Sequence, residues 1–258
     1  MTAVDPSGDT VVELTDHTGG GPGVIRGAAS VRPADGTYQV HGVRLPDPPR
    51  DAARLWNLIR SGCGSTPVAY AVHRDDPAAA ALHAAAGGEV VATRMDKHLT
   101  PPVPGTGIEL VPMTAAQFEP WVRRQLQEYA RVRAANGESP QVAERISREQ
   151  HARLFPQGVD SPGQQVFTAH ATDGDVVGTL WLDDSQPAVF VYQVEIEPSR
   201  QGRGLGRDLM LEAERWCLEH GRTTLVLNVF GTNLGARRLY DRLGYAPIVS
   251  SYRVDPPA

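Results

Sequence analysis

The sequence predicts an α/β (α+β) fold: a mixed, mostly antiparallel central sheet with helices on both faces, preceded by a smaller N-terminal domain. Three observations carry this expectation. From residue 108 onward, strand and helix periodicities follow the order β-α-α-β-β-β-α-β-α-β. A meander leading into a βαβ crossover gives a mixed sheet, because hairpins join antiparallel strands and a helical crossover joins parallel ones. A stiff, donor-poor stretch, Thr100-Pro101-Pro102-Val103-Pro104-Gly105-Thr106-Gly107, separates this region from the residues before it. The expected division is 1–102 and 103–258.

Each element has a local reason. Residues 108–111 form a short apolar strand. Thr114 is placed to cap a helix to about residue 136, with Phe118, Trp121, Val122, Leu126 and Tyr129 at helical spacing. Ser139-Pro140 starts a second helix, since proline at the first helical position gives up only an N–H that has no partner there. A polar loop over 157–164 follows. Residues 166–171 and 176–182 read as a hairpin across Asp173-Gly174-Asp175, and 189–197 as a further strand. Residues 205–220 form an amphipathic helix, with Leu205, Leu209, Ala213, Trp216 and Cys217 on one stripe and Gly221 as its stop. A strand over 225–230, a helix over 234–243 stopped by Gly244, and a strand over 248–254 complete the order. Nearer the start, Gly19-Gly20-Gly21-Pro22-Gly23 reads as a loop between strands.

Composition narrows the function. The chain has 258 residues, 41% hydrophobic and 21% charged, enough for a core and against wholesale disorder. Lys and Arg total 25 against 30 Asp and Glu, a net charge of −5, so no basic excess is present to grip nucleic acid. Cys63 and Cys217 lie in no CxxC or Cys/His cluster, so each is expected to be a buried thiol and no metal is expected. No apolar run reaches membrane-spanning length, and residues 1–10 do not resemble a signal peptide. A cytoplasmic protein without a membrane partner is the expectation.

The strongest chemical signal is Gln201-Gly202-Arg203-Gly204-Leu205-Gly206, between a strand and a helix. Glycines at alternate positions let backbone N–H groups turn inward without Cβ obstruction, at a helix end whose dipole is positive. That combination suits a pyrophosphate, and Arg200, Arg203 and Arg207 add charge beside it. The spacing differs from the dinucleotide GxGxxG, and no Gly-Lys-Ser/Thr follows. A tight turn without a ligand is the plain alternative.

Residues 194–207, Val-Glu-Ile-Glu-Pro-Ser-Arg-Gln-Gly-Arg-Gly-Leu-Gly-Arg, resemble the acetyl-CoA-binding motif of the GNAT N-acetyltransferase superfamily. Residues 228–245 look like the family's second motif: Asn233, Ala236 three on, Tyr240 seven on, then Gly244-Tyr245. The resemblance spans about residues 108–254. It implies a GNAT fold and a coenzyme arm beside main-chain groups of Val194 and Ile196. It further implies a diphosphate wrapped by Gln201, Gly202, Arg203, Gly204, Leu205, Gly206 and Arg207. By the same resemblance, Asn233 would contact the pantetheine or cap its helix, and Tyr240 would protonate the departing thiolate.

The base is less clear. Asn228 stands where some members have a Glu, and Phe190 and Tyr192 where others have an acid or His. Glu195 is the closest carboxylate, but strand alternation sets it opposite Tyr192, Val194 and Ile196. His170, Asp183 and Asp184 are further candidates, as is a base acting through water.

The first 102 residues carry an internal echo. Val72, Asp76, Ala79, Leu82, His83 and Gly87 match Val229, Asn233, Ala236, Leu239, Tyr240 and Gly244 at one offset, and Tyr38-Gln39-Val40 echoes Tyr192-Gln193-Val194. Asp47-Pro48-Pro49-Arg50-Asp51 stands where the glycine turn would be; proline has no N–H and aspartate repels phosphate. The expectation is a tandem chain whose first copy is degenerate and structural. The leading function is acetyl transfer from acetyl-CoA to a primary amine of a small molecule or a protein or peptide. The alternatives are a non-catalytic acyl-CoA-binding regulatory or interaction protein, and transfer of a longer acyl group. A homodimer is left open.

Overall fold

The computed structural model describes residues 2–4, 10–16, 24–34, 36–135 and 137–257. The glycine run at 19–23 lies outside them. Contacts divide the chain into two compact units. The first holds residues 1–94, 229–234 and 247–258; the second holds 95–228 and 235–246.

In chain order, the first unit contains β1 (Thr2–Val4), β2 (Thr10–Asp16), β3 (Val24–Ala34), β4 (Thr37–Arg44), α1 (Pro48–Cys63), β5 (Val68–His73) and α2 (Pro77–Ala86), and β6 (Glu89–His98) begins in it. β1 to β4 form an antiparallel meander, and β4 runs parallel to β5 through α1, with Tyr38, Gln39 and Val40 opposite Val68, Ala69 and Tyr70. α1 turns a strip of Leu55, Ile59 and Cys63 inward at helical spacing, and these close on Val68, Tyr70 and Leu82. Burying one such aliphatic side chain contributes roughly 1.5–3 kcal/mol. Asp76 caps α2, its Oδ1 accepting from Ala79 N at 2.9 Å.

The second unit contains β7 (Ile108–Pro112), α3 (Ala115–Ala135), α4 (Pro140–Leu154), β8 (Gln164–Ala171), β9 (Val176–Asp183), β10 (Val189–Ile196), α5 (Leu205–Glu219), most of β11 (Thr224–Phe230) and most of α6 (Leu234–Leu243). This is the order expected from the sequence. Thr114 and Gln117 exchange capping bonds at the start of α3, and Ser139 Oγ accepts from Val142 N at 3.4 Å at the start of α4. β7 to β10 are antiparallel in sequence order, and β10 pairs parallel with β11.

The two faces of this sheet can be read from named contacts. Trp181 on β9 meets Trp121 of α3 edge-on, with ring centroids 5.6 Å apart. The neighbouring face presents Phe167 of β8, which meets Trp216 of α5 at 6.1 Å. Helices therefore cover both faces, as the sequence predicts.

The last strand, β12 (Ala246–Val254), pairs antiparallel with β5, from Val249 opposite His73 to Val254 opposite Val68. Tyr252 stacks on His83 at 3.9 Å and on Tyr70 at 5.6 Å. The proline-rich stretch falls inside the second unit. Arg215 Nη2 donates to Pro104 O at 2.7 Å, and Thr106 Oγ1 donates to Glu212 Oε1, so α5 pins it. No helix among the described residues is long and apolar enough to cross a membrane.

Candidate active site

β10 and β11 pair only over Val189–Leu225, Phe190–Val226 and Val191–Leu227. Beyond Val191 a β-bulge interrupts β10. The strand resumes its pairing with β9 but not with β11. Val194 and Ile196 then line a cleft of about 830 Å³.

The floor of the cleft is the turn into α5. A short 3-10 turn, Pro198–Arg200, leaves β10, and Gln201 Nε2 donates back to Ile196 O at 3.0 Å. Gly202 and Gly204 have φ of +76° and +84°, a region that side chains disfavour. Gly204 is the N-cap of α5. The first amides of a helix have no intrahelical acceptor, so this turn aims N–H groups and the positive dipole end at whatever lies in front of it. Gln201, Gly202, Gly204, Leu205, Gly206 and Arg207 all line the cleft, which makes it a cradle shaped for an anionic phosphate group.

The arginines divide. Arg200 lines the cleft but is ion-paired to Asp175; Arg207 also lines it, its Nη1 donating to Asp208 Oδ1 at 3.0 Å. Arg203 is exposed and is not part of the lining.

The opposite wall is α6. Tyr240 lines the cleft with Ala236, Leu239, Arg242 and Leu243. Burial pushes the Tyr240 phenol up to about 12. Arg242, Leu239 and Leu243 were not expected in the site from sequence, although they continue the face of Ala236 and Tyr240 at spacings of three and four. Asn233 is exposed in the turn before α6, its N–H donating to Phe230 O at 2.9 Å, and it does not line the cleft.

Glu195 is not in the cleft either. It sits opposite Thr179 of β9, and its Oε2 accepts from Gln193 Nε2 at 3.0 Å. Its separation from Val194 and Ile196 is as expected, but its separation from Tyr192 is corrected. Tyr192 is the extra residue at the bulge, and it stacks on Trp181 at 4.3 Å, on the side of the sheet where Gln193 and Glu195 lie. His170, Asp183 and Asp184 lie outside the cleft: His170 Nε2 meets Thr168 Oγ1 at 3.0 Å, and Asp183 Oδ1 accepts from Ser185 N at 2.9 Å. The cleft therefore pairs an amide cradle with a protonated phenol, and among the described residues no carboxylate or imidazole lines it.

Residues 127–245 match the family model described as "Acetyltransferase (GNAT) family". An uncharacterized N-acetyltransferase, YycN, of Bacillus subtilis is 25% identical over 143 residues, covering 54% of this chain and 92% of the relative. A mycothiol acetyltransferase of Nocardiopsis dassonvillei is 29% identical over 279 residues, covering 99% of this chain and 76% of the relative. The crystal structure of a GCN5-related N-acetyltransferase from Sphaerobacter thermophilus superposes with a TM-score of 0.55 at 21% identity, covering 92% of this chain and 79% of that one, a likeness of fold. Residues 127–245 thus match the GNAT acetyltransferase family, and the chain is an acyltransferase.

Proposed function

We propose that the protein transfers an acetyl group from acetyl-CoA to a primary amine. The observation that carries this reading is the meeting of three features in one cleft: the end of β10 that no longer pairs with β11, the amides of the glycine turn, and the Tyr240 phenol. Gln201, Gly202, Gly204, Leu205, Gly206 and Arg207 would hold the diphosphate, with Val194 and Ile196 beside the arm that follows it. Acetyl-CoA supplies an activated acyl carbon joined to a thiol leaving group.

What this chain adds is placement and a proton. A phenol near 12 keeps its proton at ordinary pH. It can donate a hydrogen bond to sulfur as charge develops there. Full transfer to a thiolate of ordinary pKa near ~8.5 is uphill by about 3.5 units, roughly 5 kcal/mol, so the proton that the amine loses must replace the one that Tyr240 gives. With no carboxylate or imidazole in the lining, water is the proposed carrier from the amine.

Arg203, Asn233 and Glu195 have weaker support, since none of them is among the lining residues, and Glu195 would act only through water. Residues 1–102 are proposed to be a degenerate, structural GNAT-like copy, and 103–258 the catalytic portion, in a cytoplasmic protein. The copy is supported by the shared register: Val68 and Leu225 open the two parallel pairings at the offset that relates Val72 to Val229. The same register matches Tyr38 to Val189, not to Tyr192.

The test is calorimetry with acetyl-CoA, followed by thiol release across a panel of primary amines, beginning with amines related to mycothiol because of the relative of that name. Binding with amine-dependent thiol release supports transfer. The lining without a base favours the second reading, a non-catalytic acyl-CoA-binding regulatory or interaction protein. Tight binding without turnover on any amine would select it.

A further inference from the structure

Against Tyr240, outside the lining of the cleft, lies a largely buried ionic assembly. Glu214, two turns into α5, is 3% exposed. Lys97, the single lysine of the chain, donates from Nζ to both Glu214 oxygens at 2.7 Å. Tyr245, also 3% exposed, donates its phenol proton to Glu214 Oε1 at 3.1 Å. Tyr245 is held at its other end too, because its backbone N–H donates to Tyr240 O at 3.0 Å. Gly244, with φ of +87°, permits that reversal at the end of α6. Between these two anchors the Tyr245 ring meets the Tyr240 ring edge-on, with centroids 5.9 Å apart and planes at 63°.

None of Lys97, Glu214 and Tyr245 lines the cleft. Packing alone does not call for them, since a buried ion pair rarely stabilises more than apolar side chains of the same volume. What the pair provides that aliphatic groups would not is direction: a carboxylate fixed by a bidentate cation offers its phenol partner one geometry.

We propose that Lys97, Glu214 and Tyr245 are positioning residues that fix the Tyr240 ring over the cleft, setting turnover without touching either substrate. The proposal rests on the reading of Tyr240 as proton donor.

The test uses the full chain labelled with 3-fluorotyrosine, with the Tyr240 resonance assigned by its absence in Tyr240→Phe. Lys97→Met should shift or broaden that resonance, and Lys97→Arg should largely restore it; this readout needs no acceptor. With an amine from the panel, Lys97→Met should lower kcat on the order of tenfold. The acetyl-CoA Kd should change less than about twofold. In a Tyr240→Phe background Lys97→Met should cost nothing further. If Lys97→Met does not fold, Tyr245→Phe, which removes only the hydroxyl, serves for the same measurements. An unmoved Tyr240 resonance, or losses that multiply in the double variant, would overturn the proposal. If Tyr240→Phe turns over at the wild-type rate, the proton-donor reading itself is lost, whatever the resonance does.

Discussion

Leu82 on α2 and Leu239 on α6 hold matching positions at the offset that relates Val68 to Leu225, yet Leu82 is fully buried and Leu239 lines the open cleft. In the first unit the place of the cleft wall is taken by core. Leu45 and Ala79 are buried as well, at 7% and 4% exposure. One coenzyme per chain is therefore expected. Calorimetry should give a stoichiometry near one, and a second site removed by changes in α2 would refute the structural role of the first unit.

Tyr240→Phe should lower kcat roughly 10²-fold or more, the usual worth of a positioned proton donor. The Kd of acetyl-CoA should stay within about twofold, because the hydroxyl acts as charge develops on sulfur. Steady-state kinetics paired with calorimetry separates the two effects. A rise in Kd with kcat unchanged would make Tyr240 a binding wall only.

Gly206 and Gly204 should fail in different ways. A Cβ at Gly206 would meet Leu239 Cδ2 at 3.6 Å, ordinary contact, so Gly206→Ala should melt near the wild-type temperature while weakening coenzyme binding from within the cradle. Gly204→Ala places a side chain at φ +84°, costing roughly 1–2 kcal/mol of stability as well. Melting curves with and without coenzyme A distinguish them.

His151 gives the pH dependence a direction. Burial holds its pKa below the ordinary 6.5, and its Nδ1 meets Ser147 O at 2.8 Å. The unfolded chain then takes up a proton near pH 6.5 that the folded chain takes up only at lower pH. Stability is full above that range and falls as pH drops from about 6.5 toward the folded value. Melting temperatures between pH 7.5 and 5.5 should decline, and His151→Gln should flatten the decline. An equal decline in that variant would assign it elsewhere.

Both thiols should be silent in the native protein. Cys217 is pushed up to about 12, chiefly by burial, and burial raises Cys63 as well. Aromatic disulfide reagents at pH 8 should titrate neither until denaturant is added, leaving a low background for following coenzyme A release.

Much of the second unit was legible because its signals are local. Ser139-Pro140 and Thr114 mark helix starts, and three glycines in six residues mark a turn that side chains would block. Three features were not legible. The bulge at Tyr192 depends on how β9 pairs with β10, and one inserted residue turns a side chain to the other face without a mark in composition. Lys97 and Glu214 lie far apart in sequence, and each alone reads as a surface charge. The allegiance of β12 to β5 is a long-range pairing, and 248–254 reads only as a strand.

That last pairing bears on synthesis at the ribosome. Strand β5 is translated well before its partner, Val249 to Val254. The first unit must wait with one sheet edge bare while some 175 further residues are added, about 9–35 s at ordinary elongation rates. A nascent chain arrested before residue 247 should thus be a favoured client for chaperones that shield exposed strand edges.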